Sequence, residues 1–166
     1  MKQASPAHAP AAEHLITEAL RHLSSASTCL WVADDELTTA AASNSATSLQ
    51  WVSRTPLALL SEPWQQRYAI AIAVVPAELA PSQALHLLSS LRDLHARQVL
   101  AFVPTNALGW QAADLLALGM QRHARFHHGA QLIEAWSFDI KTYKAVPDWL
   151  NPRFWANPEH WGKFRW

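Results

Sequence analysis

The most constraining feature of the sequence is the segment YAIAIAVVP at residues 68–76. Isoleucine and valine dominate this segment, and almost no polar side chain interrupts it, which is typical of a buried β-strand. A strand with apolar side chains on both faces belongs in the middle of a sheet that helices cover on each side. This segment therefore predicts a layered α/β fold.

Other strand candidates lie on both sides of this segment. The runs TCLWVA at 28–33 and VLAFVP at 99–104 are apolar and too short to form helices, so they are interpreted as buried strands. LQWVSR at 49–54 is a weaker candidate because it is shorter and more polar. Residues 121–140 predict two strands joined by a turn at His128, Gly129 and Ala130.

Three segments carry apolar side chains at helical intervals, and they alternate with the predicted strands. They span residues 11–25, 80–98 and 106–120. Pro81 suits the start of the second helix, and Gly119 suits the C-terminal stop of the third. The residues expected on the apolar faces are Leu15, Ala19, Leu20 and Leu23 in the first helix, and Leu85, Leu88, Leu91 and Leu94 in the second.

The alternation of strands and helices implies crossover connections between parallel strands. The predicted fold class is α/β: a three-layer Rossmann-like sandwich with a mainly parallel sheet, a C-terminal antiparallel hairpin and an irregular Trp-rich tail. The length of 166 residues suits one domain. We expect a disordered arm at 1–10, the α/β domain at 11–140, and the tail at 141–166 docked on the same domain.

Charge and composition exclude several classes of protein. Thirteen basic and thirteen acidic side chains cancel, so the whole molecule has no strong attraction to nucleic acid or to an anionic membrane. The single cysteine, Cys29, is expected to be a small buried hydrophobic residue. The sequence contains no run of about 20 apolar residues and no secretion signal, which predicts a cytoplasmic protein without a membrane span.

Two parts of the sequence resemble known families. The strand, helix, strand, helix and hairpin at 68–140, with LGM before the hairpin, resemble the second half of the class I S-adenosylmethionine-dependent methyltransferase fold. The tail YKAVPDWLNPRFWANPEHWGKFRW is similar to the signature of a small bacterial family of unknown function whose members share this compact methyltransferase-like shape. The first resemblance implies S-adenosylmethionine as the cofactor of active members.

The sequence departs from the methyltransferase pattern at three positions. That family has a glycine-rich turn after its first strand, but the corresponding VADDELTTAAAS has no glycine. The end of the second strand commonly holds an acid, whereas this chain has Ser53 and Arg54, and VVPAEL replaces the catalytic motif after the central strand. We therefore expect a non-catalytic protein without a cofactor. A divergent methyltransferase that holds S-adenosylmethionine without glycines is the alternative.

Acidic residues follow the first predicted strand, at the edge of the sheet where ligands bind in open α/β folds. Asp34, Asp35 and Glu36 suit a hydroxylated or cationic ligand, or a magnesium ion. Alternatively, they cap the next helix, because acids are favoured near helix N-termini. The candidate ligand mouth, called the mouth below, consists of Asp34, Asp35, Pro76 and Glu78.

Three of the nine histidines form a cluster at His123, His127 and His128. Strand alternation predicts that His123 and His127 share one face while His128 points to the other, so at most two would reach one metal ion. We expect solvated histidines on an edge strand and no metal site.

The tail contains the unit Asn-Pro-x-x-Trp twice, at 151–155 and 157–161. Its tryptophans either fasten the tail to the core or face outward among basic side chains, where they suit a protein interface or, less well, nucleic acid. The leading interpretation is a binding or scaffold protein that contacts a protein partner through the tail; an RNA-associated protein is a further alternative. The candidate interaction residues are Trp149, Arg153, Trp155, Trp161, Lys163, Arg165 and Trp166.

Overall fold

The computed structural model describes residues 9–34 and 49–143, with side chains from residue 12 onward. The helices are α1 (Ala9–Leu20), α2 (Pro56–Ser61), α3 (Pro81–Ser90), a π-helix (Leu91–His95) and α4 (Ala112–Ala117). The strands are β1 (Thr28–Val32), β2 (Gln50–Arg54), β3 (Tyr68–Val74), β4 (Ala96–Val103), β5 (Gln121–His128) and β6 (Gln131–Asp139). None of the described helices is long and apolar enough to cross a membrane.

The six strands form one mixed sheet in the order β2-β1-β3-β4-β6-β5. The first four strands in this order are parallel, and β6 and β5 form an antiparallel hairpin beside β4. The two most apolar segments, β3 and β4, lie in the interior of the sheet, as the sequence predicted. This arrangement confirms the predicted α/β fold class with a mainly parallel sheet and a C-terminal hairpin.

Two apolar layers cover the two faces of the sheet. On one face, which we call the α3 face, leucines of α2, α3, the π-helix and α4 pack against β-strand residues that include Val99 and Trp136. On the other face, the α1 face, Ile16 and Leu20 of α1 pack against residues that include Ile72 and Leu100. The sheet therefore lies between two helical layers, as the three-layer prediction requires.

The second predicted helix has a different buried face from the one expected. Its buried residues are Ala84, Leu87, Leu88 and Leu91. Leu85 and Leu94, which were expected in the core, are 44% and 49% exposed. Residues three apart do not complete a 3.6-residue turn, so a row of four such residues winds around the helix. Its two ends therefore turn away from the sheet. The helix ends as a π-helix, the wider i→i+5 form, and β4 begins at once with Ala96.

The third predicted helix is shorter than expected, but its stop is confirmed. Residues 104–111 form turns, and α4 begins only at Ala112. Gly119 has a φ of +73°, and the backbone N–H groups of Gly119 and Met120 donate to the carbonyls of Leu116 and Leu115. These two bonds form a Schellman motif, in which a residue with positive φ closes the helix.

The structure adds one helix that the sequence analysis did not predict. The six-residue α2 starts with Thr55, whose hydroxyl accepts a hydrogen bond from the backbone N–H of Ala58, followed by Pro56 at the first helical position. Both residues are standard helix-start signals. The helix is too short to show a hydrophobic period, which is why the pattern analysis missed it.

Candidate functional site

The order of the strands defines where a ligand would bind. From β1 the chain moves to β2 on one side, and then returns to β3 on the other side of β1. In open α/β sheets the crevice at such a reversal, beside the carboxyl ends of the strands, is the usual ligand site. Here that crevice lies between the ends of β1 and β3.

The structure brings three of the four mouth residues to this edge. Asp34 follows β1 by two positions, and Pro76 and Glu78 follow β3. The two strands are in register with Val32 opposite Ala73, so their ends lie side by side. The carboxyl-bearing residues Asp34 and Glu78 are both exposed there. Asp35 lies outside the described residues, as does Glu36, so their roles as ligands or as helix caps stay predictions.

The end of β2 carries a cation that is already paired. The Arg54 guanidinium lies with Nε 3.4 Å from Glu62 Oε2, and its Nη1 donates to the Ser53 carbonyl oxygen at 3.0 Å. Glu62 is the C-cap of α2, the short helix that follows β2. The helix therefore brings the Glu62 carboxylate back to the end of β2. A basic side chain therefore stands where a methyltransferase commonly places an acid, and its charge is matched within the domain.

A buried carboxylate in the hairpin was missed by the sequence analysis. Glu134 is opposite Val103, at the carboxyl end of β4, and its side chain is only 3% exposed. It accepts hydrogen bonds from Arg125 Nε at 2.8 Å and from Trp136 Nε1 at 3.0 Å, and Arg122 lies 3.5 Å away. A charge at this depth needs such partners because desolvation is costly.

The turn of the hairpin contained a signal for this contact. Only Gly129 and Ala130 separate β5 from β6, and Gly129 has a φ of +59°. Counting outward from a two-residue loop pairs Arg125 with Glu134, and these two residues are in fact opposite each other. The pair is therefore readable from the sequence once the loop length is fixed.

The histidine cluster is arranged differently from the prediction. All three histidines are exposed on β5, which is an edge strand, as expected. An irregularity between Arg122 and Ala124 shifts the alternation, so the prediction that His123 and His127 share a face is wrong. His123 Nε2 is 2.6 Å from Ser137 Oγ on the α1 face, whereas His127 is opposite Leu132 and points to the α3 face. Within residues 9–34 and 49–143, no group of three potential ligands can hold a metal ion.

The candidate interaction residues all lie outside the part of the chain that the structure describes. They are Trp149, Arg153, Trp155, Trp161, Lys163, Arg165 and Trp166. The same holds for residues 1–8 of the predicted arm, whereas residues 9 and 10 already belong to α1. Whether the tail docks on the domain therefore stays a prediction.

Comparison with solved structures found several proteins that resemble this chain. WbdD is similar to 78% of this chain with a TM-score of 0.54 and 15% identity, and the chain spans 40% of the WbdD chain. The ribosomal protein L11 methylase from Lactobacillus delbrueckii subsp. bulgaricus has a TM-score of 0.46 and 16% identity, with 82% of this chain and 81% of that chain covered. An rRNA methylase from Escherichia coli has a TM-score of 0.48 and 13% identity, with 76% and 63% covered.

These likenesses concern the fold, because every identity is far below the level at which function is shared. The likeness to WbdD agrees with the predicted α/β fold class. No curated protein matches the sequence. The model of one family, described as a family of unknown function (DUF6231), matches residues 10–166. Since this match covers nearly the whole length, tail included, the chain belongs to the family of unknown function DUF6231.

Proposed function

We propose that this protein is a cytoplasmic, non-catalytic binding or scaffold module on a methyltransferase-like fold, which contacts a protein partner through its tail. The observation that carries this proposal is the ion pair between Arg54 and Glu62. At the strand end where an acid would hold the ribose of a nucleoside cofactor, the chain has a cation whose charge is matched by Glu62. A ribose hydroxyl would contact the Arg54 guanidinium, which is already paired with Glu62, instead of a free carboxylate.

The backbone next to the crevice supports the same conclusion. Close approach of a main chain to a bound cofactor favours glycine, which has no Cβ and adopts positive φ without strain. Residues 33–49, which connect β1 to β2, contain no glycine. Within the described residues, positive φ occurs at Gly109, Gly119 and Gly129, which are in the connections between β4 and β6 and not at the ends of β1 or β3.

Calorimetric titration with S-adenosylmethionine tests the absence of cofactor binding. We expect no saturable heat with the purified full chain up to millimolar ligand, since the crevice offers neither a glycine turn nor a free acid on β2. Saturable binding in the micromolar range would overturn the proposal. If binding occurs, the Asp34→Ala variant shows whether the mouth holds the ligand, because loss of the heat in that variant places the ligand at β1.

The second part of the proposal concerns the tail. Tryptophan and arginine are the residues that most often dominate binding energy at protein interfaces, and the tail supplies both. A partner captured by cross-linking would be purified and its affinity measured for the full chain and for the double variant Trp161→Ala, Trp166→Ala. We expect at least about a tenfold loss of affinity, since hot-spot residues contribute 2 kcal/mol or more.

Trp64 provides the matched control for this measurement. It is an exposed tryptophan of the described domain that lies before β3, with its Nε1 donating to the Leu94 carbonyl at 2.9 Å. The Trp64→Ala variant should retain the affinity of the wild type. Equal losses in both variants would contradict the assignment of the interface to the tail.

A divergent S-adenosylmethionine-dependent methyltransferase is the second candidate. The observation that favours it is the pair of exposed carboxyl-bearing residues, Asp34 and Glu78, which flank the crevice at the reversal of strand order. Carboxylates at this edge suit ribose hydroxyls or a sulfonium cation. This candidate predicts micromolar binding in the titration above, with loss of binding in Asp34→Ala.

A further inference from the structure

A groove opens on the α1 face at the edge of the sheet opposite the mouth. It has a volume of roughly 220 Å³ and lies between α1 and the start of β3 and β4, beside the end of β6. Its apolar lining includes Leu15 and Ala19 from α1 and Ile70 and Leu100 from the sheet. A cavity of 150 Å³ accommodates benzene, whereas sites for drug-sized ligands measure about 300–1,000 Å³. The groove therefore has the size of one large aromatic side chain.

The composition of the chain identifies which segment can supply that side chain. Three segments lie outside the described residues: 1–8, 35–48 and 144–166. The first two contain no aromatic residue at all. The third contains four tryptophans and two phenylalanines. Only the tail therefore offers an aromatic ring for the groove from within the same chain.

The described chain passes the rim of the groove at Asp139 and ends at Tyr143 on the α3 face, so the tail reaches the groove by passing around the edge of the sheet. Asp139, which ends β6, lines the groove, and Tyr143 follows four residues later. The ring of Tyr143 is fixed against Phe138, with 5.2 Å between the ring centroids. Trp149 is the first tryptophan after this anchor, and six extended residues span about 20 Å. Because the ordering cost of closing a loop rises with its length, the nearest tryptophan is favoured.

Charge on the rim of the groove matches this occupant. Asp139 accepts hydrogen bonds from Gln98 Nε2 at 2.8 Å and from the backbone N–H of Lys141 at 2.8 Å, and both donors are uncharged. Within the described part of the chain, no cation forms an ion pair with Asp139 within 4 Å, whereas Glu18, the other acid on the rim, is paired with Arg21. The segment 144–153 carries two cations, Lys144 and Arg153, and one acid, Asp148, and its net positive charge is complementary to Asp139.

We propose that residues 144–153 strap back over this groove, with the indole of Trp149 packed between α1 and the start of β3 and β4. The indole N–H then faces the acceptors on the rim, Asp139 and Ser137, as a buried tryptophan requires. Trp161 and Trp166 stay outside the groove and remain free for a partner. The strap is a property of the isolated chain, so it does not depend on whether a partner or a cofactor binds.

Limited trypsin digestion followed by mass spectrometry tests the strap, because cleavage after Lys144 and Arg153 requires local release of the segment. We expect the wild-type chain to resist cleavage at these two bonds, and Trp149→Ala to be cleaved roughly ten times faster or more, since local opening sets the rate of proteolysis. Trp161→Ala and Trp166→Ala are the matched controls and should be cleaved as slowly as the wild type. Equal rates in Trp149→Ala and the wild type, or faster release by a control variant, would overturn the proposal.

A variant with a larger side chain in the lining of the groove provides an independent measurement. The Ala19→Leu variant adds volume to the lining and should displace the indole, so cleavage after Lys144 should rise as in Trp149→Ala. The double variant should show no further increase, because both changes release the same contact. A rate in Ala19→Leu equal to that of the wild type, in protein shown to be folded by circular dichroism, would contradict the strap. If Ala19→Leu does not fold, the comparison of the tryptophan variants decides alone.

Discussion

The ring of Tyr143 lies directly against Gly119, so closely that a Cβ at residue 119 would overlap the ring edge. Gly119 closes α4 with a φ of +73°, and Tyr143 is the last residue that the structure describes. The glycine therefore has two functions: it ends a helix, and it provides the flat surface on which the exit of the chain rests. The contact joins α4 to the segment that leads into the tail.

Substitution of Gly119 by alanine should destabilise the domain through both functions. Positive φ costs a residue with a Cβ about 1–2 kcal/mol, and displacement of the Tyr143 ring adds to this cost. Gly109→Ala is the matched control, because Gly109 has a φ of +67° and no atom within 4 Å of the added Cβ. Urea denaturation should show a larger loss for Gly119→Ala than for Gly109→Ala.

The excess loss should disappear when the ring is removed. In the background of Tyr143→Ala, the cost of Gly119→Ala should fall to that of Gly109→Ala, because only the φ strain remains. A double-mutant cycle measures this difference as a coupling free energy between residues 119 and 143. A coupling of zero would mean that the ring moves aside without cost.

The parts of the fold that were predictable are those whose signal is local. Segments such as β3 are apolar on both faces, so consecutive residues alone identify them as buried strands. The carboxyl ends of β1 and β3 can then be located from the ends of the apolar runs. For this reason Asp34, Pro76 and Glu78 were correctly placed at one edge. The ion pair of Arg54 was not predictable, because it depends on the turn made by α2, which is too short to have a detectable period.

The position of the histidines shows a second limit of sequence patterns. Alternation along β5 predicts side-chain faces only while pairing with β6 remains regular. One irregularity between Arg122 and Ala124 was enough to move His123 to the face opposite His127. Such a shift depends on the partner strand, where Ser137 accepts or donates the short hydrogen bond to His123, and not on the residues of β5 alone.

Neutralising the buried carboxyl of the hairpin should destabilise the domain. In Glu134→Gln, the ion pair with Arg125 is lost and an NH2 group replaces one of the two acceptor oxygens, so either Arg125 Nε or Trp136 Nε1 loses its acceptor. We expect a loss of about 1–3 kcal/mol, the cost of leaving one buried polar group without its partner. The midpoint of urea denaturation at pH 7 measures it.

The exposed ion pair on α1 is the control for this substitution. Glu18 Oε2 lies 2.9 Å from Arg21 Nη2, and both side chains are about half exposed. Glu18→Gln should change stability by no more than about 0.5 kcal/mol, because exposed pairs contribute little. A loss for Glu134→Gln as small as this would indicate that Arg122 and Arg125 do not stabilise the carboxylate in solution.

Cys29 should be unreactive in the folded protein. Burial in β1 raises the pKa of the Cys29 thiol to about 11, and only the thiolate reacts. At pH 8, iodoacetamide should modify the native chain slowly and the chain in 8 M urea rapidly, as followed by mass spectrometry. Rapid modification of the native chain would show that β1 opens readily.

The same thiol predicts a change of stability at alkaline pH. Since the pKa is higher in the folded state than in the unfolded state, the unfolded chain loses the proton first as the pH rises. The free energy of unfolding should therefore decrease between about pH 8.5, the ordinary value for cysteine, and about pH 11. In Cys29→Ala this component of the decrease should be absent, so parallel curves for the two proteins would contradict the assignment.

His95 should make the domain less stable in mild acid. It ends the π-helix as a buried residue beside Tyr68, Arg54 and Glu62, and burial lowers the pKa of its imidazole. The unfolded chain therefore binds the proton more readily, and the free energy of unfolding should fall as the pH drops below about 6.5, the ordinary value for histidine. Urea denaturation between pH 7.5 and pH 5 compares the wild type with His95→Gln, which has no group to protonate at this position. The free energy of unfolding of the wild type should approach that of His95→Gln toward acid pH, because only the wild type loses stability through protonation of residue 95. A difference that stays constant would show that His95 remains neutral or solvated in both states.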